Sequence, residues 1–77
     1  MRIILTNHAR QRAKQRCISI AAIWDCVLRP DKVDHKDAVY CYKKMGKSEL
    51  LLVYTKNDQG DIVVITVIKT SKVGKYM

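Results

Sequence analysis

Residues 38–69 read AVYCYKKMGKSELLLVYTKNDQGDIVVITVIK and decide the fold class. Three runs within this stretch, 38–44, 49–56 and 61–69, are rich in Val, Ile, Leu, Tyr and Thr, which favour β-strands. The connections between them are too short for a parallel crossover, so consecutive strands should pair as antiparallel hairpins. Val33 and its neighbours could add an edge strand.

Two helical segments precede these strands. Thr6 or Asn7 can cap a first helix that runs to about Arg16 and offers only a narrow apolar stripe. Ser19 can cap a second helix, which an Arg-Pro pair at 29–30 ends. Its apolar residues follow the i, i+3, i+4, i+7, i+8 spacing of one buried helix face and are Ile20, Ile23, Trp24, Val27 and Leu28. We expect this whole stripe, including Trp24, to lie in the core.

A length of 77 residues, without a linker or a repeat, predicts one α+β domain over residues 1–77. Its two N-terminal helices should pack on one face of a three- to four-stranded antiparallel sheet. The strands are apolar on both faces, and two short helices can shield only one of them. A homodimer contact or a separate partner protein is therefore predicted on the other face; alternatively, the first helix and the C-terminal tail wrap around it.

The charge favours anionic partners. Fifteen Lys and Arg residues stand against seven Asp and Glu residues, which gives a net charge of +8. No acidic residue follows Asp61, so a basic C-terminal tail with Lys69, Lys72 and Lys75 could extend a cationic surface that begins on the first helix. Solvated surface lysines are the alternative interpretation of the tail.

The cysteines and the hydropathy indicate a cytoplasmic protein. Cys17, Cys26 and Cys41 are odd in number and have no C-x-x-C spacing, and the chain does not open like a secretory signal. Zinc bound by cysteines together with His8 or His35 would lack the short ligand spacings of structural sites, so buried free thiols are expected and no metal or other cofactor is predicted. No apolar run is long enough to cross a bilayer.

His8, Arg12 and Arg16 are spaced four residues apart, which places an imidazole and two guanidiniums along one helix face. Like charges at these positions are mildly destabilising unless a polyanion or a buried acid offsets the repulsion. RNA or DNA is the simplest polyanion. This row is therefore the predicted site.

The string His8-Ala9-x-x-Arg12-x-x-x-Arg16-x-Ile18-Ser19, followed by two-faced strands and a late Ile65-Thr66-Val67, resembles the bacterial family labelled domain of unknown function 4258. The resemblance covers nearly the whole chain. It implies the fold shared by barnase, colicin E5 and the RelE toxins, and an RNA-cleaving toxin neutralised by an antitoxin. Members commonly carry glycine where this chain has Cys17, which predicts that the helix connection here needs no left-handed residue.

RNA cleavage without a metal needs a base for the 2′-hydroxyl, cations for the phosphorane and an acid for the departing 5′-oxygen. We predict that His8 transfers a proton and that Arg12 and Arg16 bind phosphate. If its strand face lies beside the first helix, Thr66 is predicted to bond substrate or to orient one of these groups. Further RNA contacts are predicted for Arg10, Lys14, Lys43, Lys44, Lys69 and Lys72. Stacking of bases on Tyr40, Tyr42 and Tyr54 is a further possibility.

Three functions stay open from the sequence. The first is a metal-independent endoribonuclease toxin, in which His8 is essential. The second is a non-catalytic RNA- or DNA-binding module, in which His8 is dispensable and the cations only neutralise phosphates. The third is a small interaction protein that acts through its sheet face. As an alternative to any site, His8, Arg12 and Arg16 can be ordinary solvated residues of a helix face, and Thr66 can be an ordinary strand residue.

Overall fold

A computed structural model describes residues 2–70. Its elements in chain order are β1 (Ile3–Leu5), α1 (Asn7–Gln15), α2 (Ile20–Leu28), β2 (Lys32–His35), β3 (Val39–Met45), β4 (Ser48–Lys56) and β5 (Ile62–Thr70). The strands form a five-stranded sheet in the order β1-β5-β4-β3-β2. None of the helices in this described part is long and apolar enough to cross a membrane.

The predicted α+β class, the two helices on one sheet face and the β3-β4-β5 hairpins are confirmed. The edge strand around Val33 is also present, as β2. The prediction of three to four strands, all antiparallel, was wrong, because β1 adds a fifth strand that runs parallel to β5. A three-residue strand is too short for a sequence pattern, and β1 becomes a strand only through its pairing with distant β5.

Asp61 anchors β1 at the beginning of β5. Its carboxylate accepts hydrogen bonds from the backbone N–H of Arg2 at 3.2 Å and from the Arg2 guanidinium at 3.4 Å. Its own N–H donates to the side-chain oxygen of Asn57 at 2.9 Å. Burial raises the pKa of Asp61, but the hydrogen bonds from Asn57 and Arg2 and the charge of Arg2 outweigh it, so the pKa lies below its usual range.

Thr6 fixes the beginning of α1. Its hydroxyl oxygen accepts a hydrogen bond from the N–H of Ala9 at 3.2 Å, as an N-cap does, and the hydroxyl donates to the carbonyl of Ile65 at 3.1 Å. Thr6 also donates its backbone N–H to Val64 at 3.2 Å. One residue therefore ends β1, begins α1 and joins both to β5.

Cys17 ends α1 in a left-handed conformation, with φ = 54°. The N–H of Ile18 donates to the carbonyl of Ala13 at 2.8 Å, and the N–H of Cys17 to that of Lys14 at 3.3 Å. These are the two hydrogen bonds of a Schellman motif, in which the residue at the Cys17 position is usually glycine. The prediction that this connection needs no left-handed residue was therefore wrong: the helix stop imposes the conformation whichever residue occupies the position.

The core lies between both helices and one face of the sheet. Ala9 and Ala13 of α1 and Ile23 and Cys26 of α2 belong to the same buried cluster. α2 begins at the predicted cap, Ser19, whose hydroxyl accepts from Ala22 N–H at 3.1 Å. The alternative that the first helix wraps around the other sheet face was wrong, because α1 packs on the same face as α2. The C-terminal tail, the second part of that alternative, lies outside the described residues beyond position 70.

The predicted apolar stripe of α2 is only partly buried. Ile20 and Leu28 are 52% and 60% exposed, and Trp24 is half-buried and outside the core cluster. The prediction that Trp24 and the whole stripe lie in the core was therefore wrong. The helix packs on β3 and β4 through the middle of its stripe, where Ile23 and Cys26 are fully buried and the Cys26 thiol lies 3.7 Å from the carbonyl of Cys41, while Ile20 and Leu28 at its two ends stay exposed.

The sheet face away from the helices exposes little apolar surface at the centre of β4. Leu51 and Val53 alternate with the core residues of β4 and so point to this face, yet they are only 1% and 8% exposed. In register, Leu51 lies between Tyr42 and Ile68. The apolar surface that led us to predict a partner here is therefore not open in the middle of β4.

Candidate nucleic-acid interface

The first part of the candidate site is a groove between α1 and the edge of β5. β1 pairs only with the first three residues of β5, Ile62–Val64, so farther along β5 no strand within residues 2–70 covers this edge. Arg12 and Arg16 flank the buried stripe of α1 and reach over the edge. They line an open groove of about 300 Å³ together with Thr66, Val67, Ile68, Lys69 and Thr70. We call this the α1–β5 groove.

A β-bulge marks where the groove begins. Val53 pairs with Thr66 and Tyr54 with Val64, so Ile65 is an extra residue in β5. Bulges bend a strand and redirect its side chains, and they are common beside functional sites. Here the extra residue lies just past the end of β1. Thr66 follows it and lines the α1–β5 groove at the edge of β5, but its pairing with Val53 places its side chain on the sheet face away from the helices.

His8 lies in an adjoining depression of about 280 Å³, whose other lining residues are Gln11, Arg12 and Gln15. Arg12 lines both this depression and the α1–β5 groove. His8, Arg12 and Arg16 therefore lie along one solvent-open surface, which Thr66 borders at the edge of β5. His8, Arg12 and Arg16 are themselves exposed.

No carboxylate neutralises this surface within residues 2–70. Neither Arg12 nor Arg16 makes an ion pair there, and no acidic residue lines the groove or the depression. The acids that might have sealed the row have other partners: Asp25 pairs with Lys43 at 3.6 Å and Asp34 with Lys36 at 3.4 Å. The two guanidiniums remain available to an external anion.

The other predicted RNA contacts divide into three groups. Lys69 lines the α1–β5 groove. Arg10 and Lys14 are exposed but project from the other side of α1, and they line neither the groove nor the depression. Lys72 lies outside the described residues.

Lys43 and Lys44 are not part of this surface either. Lys43 alternates onto the helix-bearing face of β3, where its ammonium donates to the carbonyl of Arg29 at 2.8 Å and pairs with Asp25. Lys44 is exposed on the opposite face and lines neither cavity. The sequence grouped the two lysines as neighbours, whereas strand alternation sends them to different faces.

The tyrosines divide between the two faces of the sheet: Tyr54 lies on the core face, and Tyr40 and Tyr42 on the face away from the helices. Tyr54 belongs to the core cluster, so the prediction that it stacks bases was wrong. The hydroxyl of Tyr42 donates to the Glu49 carboxylate at 3.0 Å, and the Lys36 ammonium lies 5.2 Å from the ring centre of Tyr40. Neither Tyr40 nor Tyr42 lines the α1–β5 groove.

Sequence reasoning missed a small apolar cavity where α1 turns into α2. This cavity, the turn pocket, has a volume of about 160 Å³. Its lining residues are Cys17, Ile18, Ser19, Ala22, Met45, Leu50 and Lys69. Lys69 also lines the α1–β5 groove, so the two cavities adjoin. The only signal in the sequence is the non-glycine residue at the left-handed stop of α1.

The two other thiols, those of Cys26 and Cys41, lie in the core. Cys26 and Cys41 are fully buried, as expected of free thiols, whereas Cys17 is exposed. The hydrogen bond with Cys41 and burial raise the pKa of Cys26, which keeps it a neutral thiol and a weak nucleophile. Within residues 2–70, no three His, Cys, Asp or Glu side chains are grouped so as to hold a metal ion.

The fold and this surface define a class of protein: a small α+β domain with a cationic groove beside the uncovered edge of its sheet. The chain belongs to the family described as Domain of unknown function (DUF4258), whose model matches residues 5–69. That range includes His8, Arg12, Arg16 and Thr66. No curated protein and no solved structure matches the chain.

Proposed function

We propose that this protein is a metal-independent endoribonuclease of toxin type that binds the RNA backbone along the α1–β5 groove. One observation carries the proposal: Arg12 joins the depression of His8 to the groove of Arg16 and Thr66. A phosphodiester bound to Arg12 would have a titratable group on one side and a second cation on the other. The toxin character comes from what the resemblance to the DUF4258 family implies.

The chemistry assigns a role to each group. His8 accepts the proton of the 2′-hydroxyl, and the 2′-oxygen attacks phosphorus to form a 2′,3′-cyclic phosphate. The P–O5′ bond breaks with its electron pair on the 5′-oxygen, which takes a proton from water. Arg12 and Arg16 offer forked donors to the phosphate oxygens, whose negative charge grows in the transition state. Thr66 receives no role in this step, because its side chain lies with that of Val53 on the sheet face away from α1.

The test is cleavage of RNA by the purified protein in excess chelator. His8→Ala should lower the rate by at least about 100-fold, the usual size of a lost acid-base group. Arg12→Ala should lower it as well. The chain offers matched controls: His35→Ala removes the other, exposed histidine, and Arg10→Ala removes an arginine from the other side of α1. Intact RNA under all conditions, or equal loss in test and control variants, would refute the enzyme.

Toxin action has a separate test in living cells. Induced expression of the wild-type chain should stop growth while the His8→Ala variant, produced at the same level, does not. Growth that continues with the wild-type chain at a level that cleaves RNA in vitro would remove the toxin part of the proposal and leave the nuclease. Growth arrest by both chains would separate toxicity from cleavage.

A non-catalytic RNA-binding module is the second candidate, and the setting of His8 favours it. The His8 side chain makes no hydrogen bond or ion pair with any residue in the described range 2–70, whereas a catalytic histidine is commonly oriented by a second group. In such a module, His8→Ala leaves binding nearly unchanged and Arg12→Ala weakens it for every sequence. The cleavage assay and a binding assay on the same variants therefore distinguish the candidates.

A further inference from the structure

The turn pocket lies directly beside the surface proposed to bind phosphates. Lys69 is shared by the turn pocket and the α1–β5 groove, and Arg16 of the groove immediately precedes Cys17 of the pocket. In a single RNA strand the base projects sideways from the backbone that carries the phosphates. A strand with a phosphate at Arg16 and Lys69 would thus have a base within reach of the pocket.

The lining of the turn pocket suits the face of one base. Leu50 is fully buried and forms the floor, and the half-buried Ile18, Ala22 and Met45 form the walls. Thioether and aliphatic side chains pack against flat π-systems. The volume of about 160 Å³ would hold roughly five waters at about 30 Å³ each, which is room for one flat ring system and not for a stack.

The rim of the pocket adds polar and conformational features. The Ser19 hydroxyl oxygen caps α2, but its proton has no acceptor within residues 2–70 and is available to a base edge. Cys17 holds its side chain at the rim in a left-handed backbone conformation that is uncommon for residues other than glycine.

We propose that the turn pocket binds one unstacked base of the RNA strand whose phosphates lie in the α1–β5 groove. This inference rests on the proposed function and extends it, because a base pocket would select the position on the strand at which the protein acts. Single-stranded RNA, whose bases can be turned out and packed against side chains, is the class of nucleic acid that fits.

The test compares two labelled oligonucleotides by fluorescence anisotropy. Both carry 2′-O-methyl riboses, which cannot be cleaved; one has bases and the other has an abasic backbone of the same length. The wild-type protein should bind the strand with bases about tenfold more tightly, the order of one packed base. Ala22→Leu, which fills the pocket, should lower that affinity to the abasic level. Ala21→Leu is the matched control, since Ala21 is the exposed neighbour on α2 and lines no part of the pocket.

The outcomes separate this inference from the proposed function. If both strands bind equally well and Arg12→Ala weakens both, the groove stands and the pocket is refuted. If Ala22→Leu keeps the preference for bases, the pocket is likewise refuted. If neither strand binds, the phosphate groove fails and the base pocket fails with it.

A measurement on the unmutated chain covers the case in which Ala22→Leu does not fold. With methyl-labelled methionine, the Met45 signal, assigned with Met45→Leu, should shift when the strand with bases is added and stay in place with the abasic strand. Equal shifts with the two strands would overturn the proposal.

Discussion

Cys17 is the position where one substitution separates backbone conformation from side-chain chemistry. Its φ of 54° places it in the left-handed region, where the Cβ of a non-glycine residue costs about 1–2 kcal/mol. Cys17→Gly removes that cost, but it also stabilises the unfolded chain by about 0.4–1 kcal/mol because glycine has more conformational entropy there. The side chain is exposed, so little burial is lost. The variant should be about 0.5–1 kcal/mol more stable than the wild type.

For a domain of this size, such a gain raises the Tm by about 2–8 °C. The assay is thermal and urea unfolding with a reductant present, so that no thiol chemistry intervenes. Cys17→Ala is the matched control, because it removes the thiol and keeps the Cβ; its Tm should stay close to that of the wild type.

The reasoning fails if Cys17→Gly is no more stable than Cys17→Ala. That result would mean that the turn after α1 is not left-handed in solution, or that the Schellman hydrogen bonds of Ile18 and Cys17 do not form. A gain in both variants would instead assign the effect to the thiol.

Three further predictions concern the groove and its supports. The affinity for single-stranded RNA falls with salt, and Arg12→Gln should reduce the magnitude of the slope of log affinity against log salt concentration by about 0.7, whereas Arg10→Gln should leave it unchanged. Equal slopes for the two variants would contradict the assigned surface. Thr6→Ala should lose the N-cap of α1, about 1 kcal/mol, and lower the Tm by about 4–8 °C; Thr6→Ser should retain it, and a Tm that ignores both changes would argue against the cap. Because the pKa of Asp61 is below its unfolded value of about 3.9, the unfolded chain binds more protons there and wild-type stability should fall as the pH drops below about 4. The urea midpoint of Asp61→Asn should be lower than that of the wild type at neutral pH and should change less with pH across that acid range, whereas Asp58→Asn should follow the wild type. If the midpoint of Asp61→Asn falls with pH as steeply as that of the wild type, the linkage is ruled out.

The sequence determined the elements whose signals are local. The caps Thr6 and Ser19 begin both helices where capping chemistry predicts, since each side-chain oxygen bonds a backbone N–H three residues later. The β3, β4 and β5 strands and their hairpins followed from composition and loop length. The spacing of His8, Arg12 and Arg16 placed them along α1 for the same local reason, because helical periodicity is fixed by the backbone.

Only the tertiary structure decided which of these residues face each other. The parallel pairing of β1 with β5 ends at Val64, which leaves the β5 edge open and brings Thr66 and Lys69 to the arginines of α1. Strand alternation and packing moved Lys43 away from that surface. The turn pocket likewise exists because distant elements meet at Lys69. Local patterns fix helices, strands and hairpins, but a groove or a pocket depends on long-range pairing and packing, and no spacing along the chain encodes those.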